Sequence, residues 1–317
     1  MSGDRRFAGV DVGGTKCLGV VIDEHGEVIA EERRPTPHGP TELVRAIAAV
    51  VEALPEAEAV GVGAAGLVTP DGVLRAAPNL VDIQELPIGP LVADRVERAV
   101  VVDNDNTCGT YAEWKMGAAA GSENVVFVGL GTGIGGGLVL GGELQRGGHG
   151  FAGEIGHMVV QADGVRCVCG RRGCWERYAS GSGLARLAQE AATAKLLPRL
   201  VRAFGGDVEA VRGEQVTAAA RQGDTSALAV IDDYARWVAL GIVNLVNVAD
   251  PEVVVVGGGL AEAADVVLTP IRRWAAELLF SPEQRPHPAI NAAQLGERSP
   301  AIGAALLARD RDQPSTT

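Results

Sequence analysis

Hydrophobic and polar positions in the first hundred residues predict strands that alternate with helices. Apolar runs of six residues are typical of strands, whereas apolar residues that recur every three to four positions are typical of one helix face. The predicted elements, in order, are strands 7–12, 17–22 and 27–34, helix 41–54, strand 59–63, helix 91–98 and strand 100–102. This alternation favours a sheet with helices packed on its faces.

The opening pattern recurs from residue 125. Strands at 125–128 and 138–140 flank the glycine-rich turn at 129–135, as strands 7–12 and 17–22 flank Gly13-Gly14-Thr15-Lys16. The later predicted elements are helices 183–197 and 226–248, strand 253–256 and helix 299–307. Two strand–turn–strand units, each opening a larger α/β segment, predict a duplicated architecture.

The two glycine turns are candidate anion sites. Successive backbone N–H groups can surround an anion, and the hydroxyls of Thr15 and Thr132 lie at the two tips. Asp11 could face a phosphate-bound Mg²⁺ through water, since hard cations prefer oxygen ligands. Ordinary tight turns, with Asp11 as a capping carboxylate, are the alternative.

Neither glycine segment is typical of the two common nucleotide-binding loops. Residues 13–16 lack the spacing of a Walker loop and lead into a strand. The G-x-G-x-x-G patterns that begin at Gly61 and Gly131 do not open helices, which argues against a Rossmann dinucleotide site. A third cluster, Gly257-Gly258-Gly259, follows strand 253–256 and would either let a flat base lie against the backbone or form a helix-entry turn.

A carboxylate for chemistry is predicted at the end of strand 100–102. Asp103-Asn104-Asp105-Asn106 follows that strand directly, and ligands of α/β sheets bind at the carboxyl ends of strands. Asp105 could accept a proton from an acceptor hydroxyl while Asn104 aligns it. The same residues could also cap a helix, in which case one caps while its neighbour reacts. Asp103 is assigned to structure.

The segment 167–176 predicts a metal site. Cys167, Cys169 and Cys174 fall within eight positions, and His157 lies ten residues before the first of them. Thiolate and imidazole are the preferred ligands of tetrahedral Zn²⁺, and four protein ligands indicate a structural site. A disulfide is disfavoured because Cys167 and Cys169 are too close to pair comfortably. Cys17 is predicted to be a small buried residue, as is Cys108.

Composition excludes several classes of protein. The chain has 317 residues, a net charge of −12 and a pI of about 5.0, which argue against nucleic acid or an anionic membrane as the main partner. The uncharged stretch 125–142 has the length of a membrane span, but its central glycines favour strand–turn–strand. No secretory signal pattern occurs at residues 1–6, so a cytoplasmic location is expected.

These motifs together resemble those of the ROK family of sugar kinases. The matching segments are Asp11-Val-Gly-Gly-Thr-Lys16, Asn104-Asp105, Gly129-Leu-Gly-Thr-Gly-Ile-Gly135, Glu154-Ile-Gly-His157 and Cys167-x-Cys-Gly-x-x-Gly-Cys-x-Glu176, with Gly257-Gly258-Gly259 later in the chain. The resemblance implies an α/β, actin-like and RNase H-like ATPase fold with a cleft between two domains. A small domain is expected at 1–108 plus 300–317, and a large domain carrying the zinc loop at 109–299.

The resemblance also implies an activity and a set of site residues. The activity is ATP-dependent phosphorylation of glucose at its 6-hydroxyl, with Asp105 as general base. The implied hexose contacts are Gly66, Asn79, Asn104, Asp105, Glu154, His157 and Glu176. The implied contacts to ATP and Mg²⁺ are Asp11, Gly13, Gly14, Thr15, Lys16, Gly131, Thr132, Gly133, Gly257, Gly258 and Gly259. Structural Zn²⁺ would be bound by His157, Cys167, Cys169 and Cys174, and a homo-oligomer, dimer or tetramer, is expected.

Two other functions share these motifs. The first is phosphorylation of another hexose, such as fructose, mannose or N-acetylmannosamine, because pocket shape and not the motifs selects the sugar. The second is a sugar-binding transcriptional regulator, which would carry a helix-turn-helix segment before the kinase-like part. Only about six residues precede the first predicted strand here, which disfavours that interpretation.

Overall fold

The structure, a computed structural model, describes residues 5–80 and 82–312. These residues form two compact units. Unit 1 contains the described parts of Met1–Glu123, Gly137–Gly153 and Gln294–Thr317, and unit 2 contains Asn124–Gly136 and Glu154–Ala293. These bounds differ from the predicted division into 1–108 plus 300–317 and 109–299. The helix that begins at Asp105 packs against the C-terminal helix and lies wholly in unit 1, and residues 137–153 also belong to unit 1.

The strands and helices alternate as the hydrophobic pattern predicts. The strands are β1 (Arg6–Val12), β2 (Lys16–Asp23), β3 (Val28–Pro35), β4 (Ala59–Ala64), β5 (Leu67–Val68), β6 (Leu74–Ala76), β7 (Gln84–Leu86), β8 (Ala99–Asn104), β9 (Val125–Leu130), β10 (Ile134–Leu140), β11 (Glu143–Gln145), β12 (Val253–Gly257) and β13 (Ala289–Ala292). The helices are α1 (Pro40–Ala53), α2 (Ile88–Val96), α3 (Asp105–Lys115), α4 (Glu176–Ala179), α5 (Gly181–Thr193), α6 (Pro198–Ala203), α7 (Gly213–Arg221), α8 (Thr225–Ala249), α9 (Ala264–Leu278) and α10 (Ser299–Asp312). Short 3₁₀ helices occupy Ile155–His157, Gly259–Ala263 and Gly296–Arg298.

The sheet of unit 1 brings the predicted site residues to one edge. Its strand order is β3-β2-β1-β4-β8, with β1, β4 and β8 parallel and the β1–β2–β3 hairpins antiparallel. Gly63 lies in register between Asp11 on β1 and Asp103 on β8. The carboxyl ends of three parallel strands therefore meet where Asp11 lies one residue before the end of β1 and Asp105 follows β8.

Helix α10 packs with its backbone directly on this sheet. A Cβ atom at Gly9 would lie 2.0 Å from the carbonyl oxygen of Ala301, and one at Gly61 would lie 1.9 Å from that of Ala304. Any side chain at either glycine would displace the helix. The small residues of α10 are completely or almost completely buried here, and this close approach gives unit 1 a dense core.

The second five-stranded sheet repeats the topology of the first. Its order is β11-β10-β9-β12-β13, so the third, second, first, fourth and fifth strands of each set are neighbours in that order. Strands β9, β12 and β13 are parallel, as β1, β4 and β8 are in the first sheet. The predicted duplication is confirmed, and the α/β fold class with it. Among the described residues, no helix has the length and apolar character to cross a membrane.

Some element bounds differ from the predicted ones. The helix predicted at 91–98 begins earlier, at Ile88, and ends at Val96, because Glu97 adopts a left-handed conformation. The helix predicted to end at 197 ends at Thr193, and Pro198 then starts a separate short helix. The hydrophobic pattern did not reveal the small sheet β5-β6-β7, whose strands are only two or three residues long.

One buried carboxylate joins two segments of unit 1. Glu113, near the end of α3, is completely buried and accepts hydrogen bonds from the backbone N–H groups of Ala118 (2.9 Å), Gln294 (3.0 Å) and Leu295 (2.8 Å). The first of these follows α3, and the other two begin the segment that leads into α10. Three charge-assisted hydrogen bonds offset the desolvation of the carboxylate and fix both segments.

We expect substitution of Glu113 to destabilise the protein. Glu113→Gln should cost about 2 kcal/mol, because the amide NH₂ group would face an N–H donor, and should lower the thermal midpoint by roughly 4–8 °C. Glu52→Gln, on an exposed position of α1, is the matched control and should leave the midpoint unchanged. Equal midpoints for both variants in scanning calorimetry would show that Glu113 does not stabilise the fold.

Candidate active site

The first glycine turn is a hairpin that extends beyond the end of β1. The Gly13 N–H donates to the Lys16 carbonyl oxygen at 3.0 Å, and Thr15 is exposed at the tip. A Cβ atom at Gly14 would lie 2.9 Å from the carbonyl oxygen of Asn79, so the predicted phosphate turn adjoins a predicted hexose contact. Gly14 and Thr15 are both exposed at this tip, and the binding of an anion there stays a prediction.

Lys16 forms an ion pair that the sequence did not predict. Its Nζ lies 2.5 Å from a carboxylate oxygen of Glu297, which also pairs with Arg33 on β3. These hydrogen bonds, Lys16 first, lower the pKa of Glu297. The side chains are 41–47% exposed, so solvent screens the pairs and their stabilising effect is small. Glu297 lies 281 residues from Lys16, which left no local signal for this contact.

Asp11 and Asp105 are half-buried carboxylates near one another at the edge of the sheet. Burial, and secondarily the charge of Asp105, raises the pKa of Asp11 to about 8. Burial also raises the pKa of Asp105, although hydrogen bonds from Asn106 oppose the shift. A divalent cation would offset both effects, because it favours the ionised carboxylates. This oxygen donor set fits the predicted Mg²⁺.

Asn104 fixes Asp105 at the start of α3. Its Oδ1 accepts from the N–H groups of Asn106 (2.8 Å) and Thr107 (3.1 Å), which is a helix N-cap. Its Nδ2 donates to the carbonyl oxygen of Gly66 at 3.1 Å. The side chain that caps α3 is therefore that of Asn104, and Asp105 is the candidate reactive carboxylate.

Asp103 is structural, as predicted, but its partner was missed. Asp103 is 6% exposed, and its carboxylate accepts from Arg146 Nε at 2.7 Å and from the Asn104 N–H at 2.9 Å. Arg146 follows β11, 43 residues further along the chain. This ion pair between buried Asp103 and partly exposed Arg146 holds the end of β8 from which Asp105 projects. Only the tertiary structure reveals this partner.

Two glycine clusters lie side by side in unit 2. Strands β9 and β12 are parallel neighbours with Gly129 and Gly257 in register, so the turn at 131–135 adjoins Gly258 and Gly259. Thr132 is exposed at the tip of the turn, as Thr15 is in unit 1. Gly258 begins the 3₁₀ helix that leads into α9. The helix-entry turn is therefore observed, and a base-binding role for the third glycine cluster stays a prediction.

The predicted metal ligands converge in unit 2. The ligand atoms of His157, Cys167, Cys169 and Cys174 lie within 4.8 Å of one another. The Cys169 and Cys174 sulfurs are 3.6 Å apart, and Cys167 Sγ lies 3.9 Å from His157 Nδ1. Tetrahedral Zn²⁺ with Zn–S bonds of about 2.3 Å would place its sulfur ligands about 3.8 Å apart. The donor set and its spacing fit structural zinc, and all five cysteines are free thiols.

One predicted hexose ligand, His157, belongs to this cluster, and two others, Glu154 and Glu176, lie beside it. His157 presents Nδ1 to the thiols and Nε2 to Glu154, whose Oε2 is 4.0 Å away. The two ring nitrogens thus face different partners, as expected for a residue that binds zinc and also orients a carboxylate. Glu176 begins α4, with Oε1 3.9 Å from Cys167 Sγ. A metal ion in the cluster would fix the positions of all three side chains.

Two sheets of identical strand order, each with a glycine turn between its first two strands, define a protein of the actin-like ATPase class. The sequence profile of the ROK family matches residues 7–311. This chain belongs to the ROK family.

Relatives and solved structures agree with this assignment. A glucokinase of Streptomyces coelicolor is 40% identical over 310 residues, which cover 96% of this chain and 98% of the relative. A glucokinase of Thermotoga maritima is 31% identical over 312 residues, which cover 96% and 98%. The crystal structure of a ROK family glucokinase from Streptomyces griseus, in complex with glucose and AMPPNP, is similar with a TM-score of 0.87 and 40% identity, covering 96% of this chain and 99% of that one.

Proposed function

We propose that this protein transfers the γ-phosphoryl group of ATP to the 6-hydroxyl of glucose. One observation carries the proposal: Asp105 is a desolvated carboxylate held by a helix cap at the carboxyl end of a parallel strand. The similarity to glucokinases over nearly the whole chain supports the same reaction.

Asp105 is the general base in this proposal. Phosphoryl transfer needs a carboxylate that accepts the proton of the attacking hydroxyl, together with groups that neutralise charge on the phosphates. The raised pKa of Asp105 makes it a better proton acceptor than an exposed aspartate. The Asn104 cap and the Asp103–Arg146 ion pair hold Asp105 in place, so little reorganisation is needed at the moment of transfer.

Neutral sugar hydroxyls would be bound by carboxylates, amides and an imidazole. The proposed hexose contacts are Gly66, Asn79, Asn104, Asp105, Glu154, His157 and Glu176. Ionised carboxylates only accept hydrogen bonds, so Glu154 and Glu176 would receive protons from sugar hydroxyls. The Asn104 side chain already caps α3 and donates to the Gly66 carbonyl oxygen. It could therefore bind the hexose only through its second amide hydrogen or through a further hydrogen bond to its Oδ1.

The glycine turns would hold the nucleotide. The proposed contacts are Asp11, Gly13, Gly14, Thr15, Lys16, Gly131, Thr132, Gly133, Gly257, Gly258 and Gly259. Mg²⁺, when bound, supplies positive charge to the phosphates, and Asp11 is the carboxylate that would face it. Zn²⁺ would be held by His157, Cys167, Cys169 and Cys174 as a structural ion. The cytoplasm is the expected location, and a dimer or tetramer remains the predicted assembly.

A coupled assay of ADP release across a panel of hexoses tests the proposal. We expect glucose to give the highest kcat/KM with ATP as donor, with Asp105→Asn as the low-activity control. A higher value for fructose, mannose or N-acetylmannosamine would assign the protein to the alternative kinase activity. Absence of ADP release with every hexose would overturn the phosphotransferase assignment.

A further inference from the structure

The glycine turn at 131–135 is built against the segment that follows the cysteine cluster. The Gly181 N–H, at the start of α5, donates to the carbonyl oxygen of Gly131 at 2.8 Å. The Ile134 N–H, at the other side of the turn, donates to Glu176 Oε2 at 3.0 Å. The first residue of α4 and the first residue of α5 therefore fix the two sides of this turn.

Glu176 contacts the turn and the cysteine cluster at the same time. While Oε2 binds the Ile134 N–H, Oε1 lies 3.9 Å from Cys167 Sγ. Glycine at residue 133 leaves room for the carboxylate in this position, since a Cβ atom there would lie 2.3 Å from Glu176 Oε2 and the side chain would have to shift. One side chain thus joins a metal ligand to the backbone of the glycine turn.

The position of Glu176 is set by the two residues before it. Cys174 is a predicted metal ligand, and Trp175 is completely buried. The Trp175 backbone N–H donates to the Met158 carbonyl oxygen at 2.7 Å, and its indole Nε1 donates to that of Trp237 at 2.7 Å. Glu176 therefore follows a fixed residue on one side and starts a helix on the other, so its backbone is held close to Cys174, and its carboxylate is held by the Ile134 N–H.

We infer that Glu176 is a positioning residue that couples metal binding in the cysteine cluster to the shape of the glycine turn at 131–135. Nucleotide binding then depends on the metal even when no hexose is present. The inference rests on the proposed function in one respect, the assignment of this turn to the phosphates of ATP. It adds a role for Glu176 that is independent of its proposed contact with the hexose.

The test measures binding of AMPPNP with Mg²⁺ to the full-length protein by calorimetry, in the absence of hexose. Glu176→Ala removes the acceptor for the Ile134 N–H and should weaken binding roughly 10-fold or more. Glu176→Gln keeps an acceptor oxygen of the same reach and should restore most of the affinity, a pattern that loss of a sugar contact would not produce. Removal of zinc by a chelator should weaken AMPPNP binding by a similar factor in the wild-type protein.

Two control variants separate this inference from the proposed function. Val168→Ser changes an 80% exposed residue between two of the cysteines and should leave the affinity unchanged. Gly131→Ala places a methyl group in open space and should block the approach of a phosphate without disturbing the turn. If Gly131→Ala binds AMPPNP like the wild type, the assignment of the turn to the nucleotide is wrong and the inference falls with it.

The inference alone is overturned by a different result. The inference is wrong if Gly131→Ala weakens AMPPNP binding while both Glu176→Ala and the metal-free wild type retain full affinity for AMPPNP. Near-ultraviolet circular dichroism of each sample reports whether the aromatic side chains, including the completely buried Trp175, keep their environment. If Glu176→Ala fails to fold, the chelated wild-type protein and Glu176→Gln decide the question.

Discussion

Asp105→Asn should lower kcat by about 10²–10⁴-fold while it leaves glucose affinity within about threefold of the wild type. Asparagine keeps the size and the hydrogen-bonding reach of the side chain but cannot accept the hydroxyl proton. Turnover is measured by ADP release, and glucose affinity by calorimetry. Wild-type turnover in this variant would remove Asp105 as the base.

The pH dependence of kcat/KM provides a second readout of the same residue. Since burial raises the pKa of Asp105, the acid limb of the profile should lie above the usual aspartate value of about 3.9. Activity should fall as the pH drops through this raised pKa, because the proton then occupies the base. Asp105→Asn should lack this limb, and an unchanged limb in the variant would assign it to another group.

The stability of the same variant serves as its folding control. A carboxylate whose pKa is raised in the folded state binds its proton more tightly there than in the unfolded chain. Its contribution to stability is therefore lost as the pH rises through the raised pKa. Above that pH, Asp105→Asn should melt no lower than the wild type, so a loss of activity cannot be attributed to unfolding. A clearly lower midpoint would contradict the desolvation of Asp105.

Cys174→Ser should release zinc and abolish measurable glucose binding. Cys174 is completely buried and directly precedes Trp175, so loss of the metal would free the loop that carries His157 and Glu176. Structural zinc sites contribute to folding directly, with apparent binding free energies of about 10–16 kcal/mol in small domains. Metal content is measured by mass spectrometry of the purified protein, and glucose affinity by calorimetry.

The neighbouring substitution Val168→Ser is the matched control for Cys174→Ser. It introduces the same serine into the same loop at an exposed position, and should keep both zinc and glucose affinity. Full glucose affinity in a zinc-free Cys174→Ser protein would separate the metal from hexose binding. If the purified Cys174→Ser protein instead retains zinc, Cys174 is not a ligand.

Local sequence signals were sufficient where neighbouring residues act together. The three cysteines fall within eight positions and His157 lies ten residues before the first of them, so ligand preference and short spacing predicted the group of four side chains that the structure brings together. The alternation of apolar runs and glycine turns likewise predicted the repeated strand–turn–strand units. Bounds were less accurate where the ends depend on single residues, as at Glu97 and Thr193.

Contacts between distant residues could not be predicted in the same way. Three hydrogen-bonded contacts join residues that lie 43 to 281 positions apart: Arg146 with Asp103, Glu297 with Lys16, and Glu113 with the segment before α10. A charged residue in the sequence carries no signal of its partner, because many carboxylates and guanidinium groups are equally available. The second contact of Glu176, with the Ile134 N–H, was missed for the same reason.

The amino-acid sequence by itself determined the Cys/His cluster, the two glycine turns and the carboxylate after β8, because these depend on residue type and short spacing. The tertiary structure alone decided which residue caps α3, which cation pairs with Asp103 and how the cysteine loop supports the glycine turn. These depend on which strands become neighbours in the sheets and which groups lose their water on burial. The choice of neighbouring strands and the burial of particular groups both follow from the packing of the whole chain.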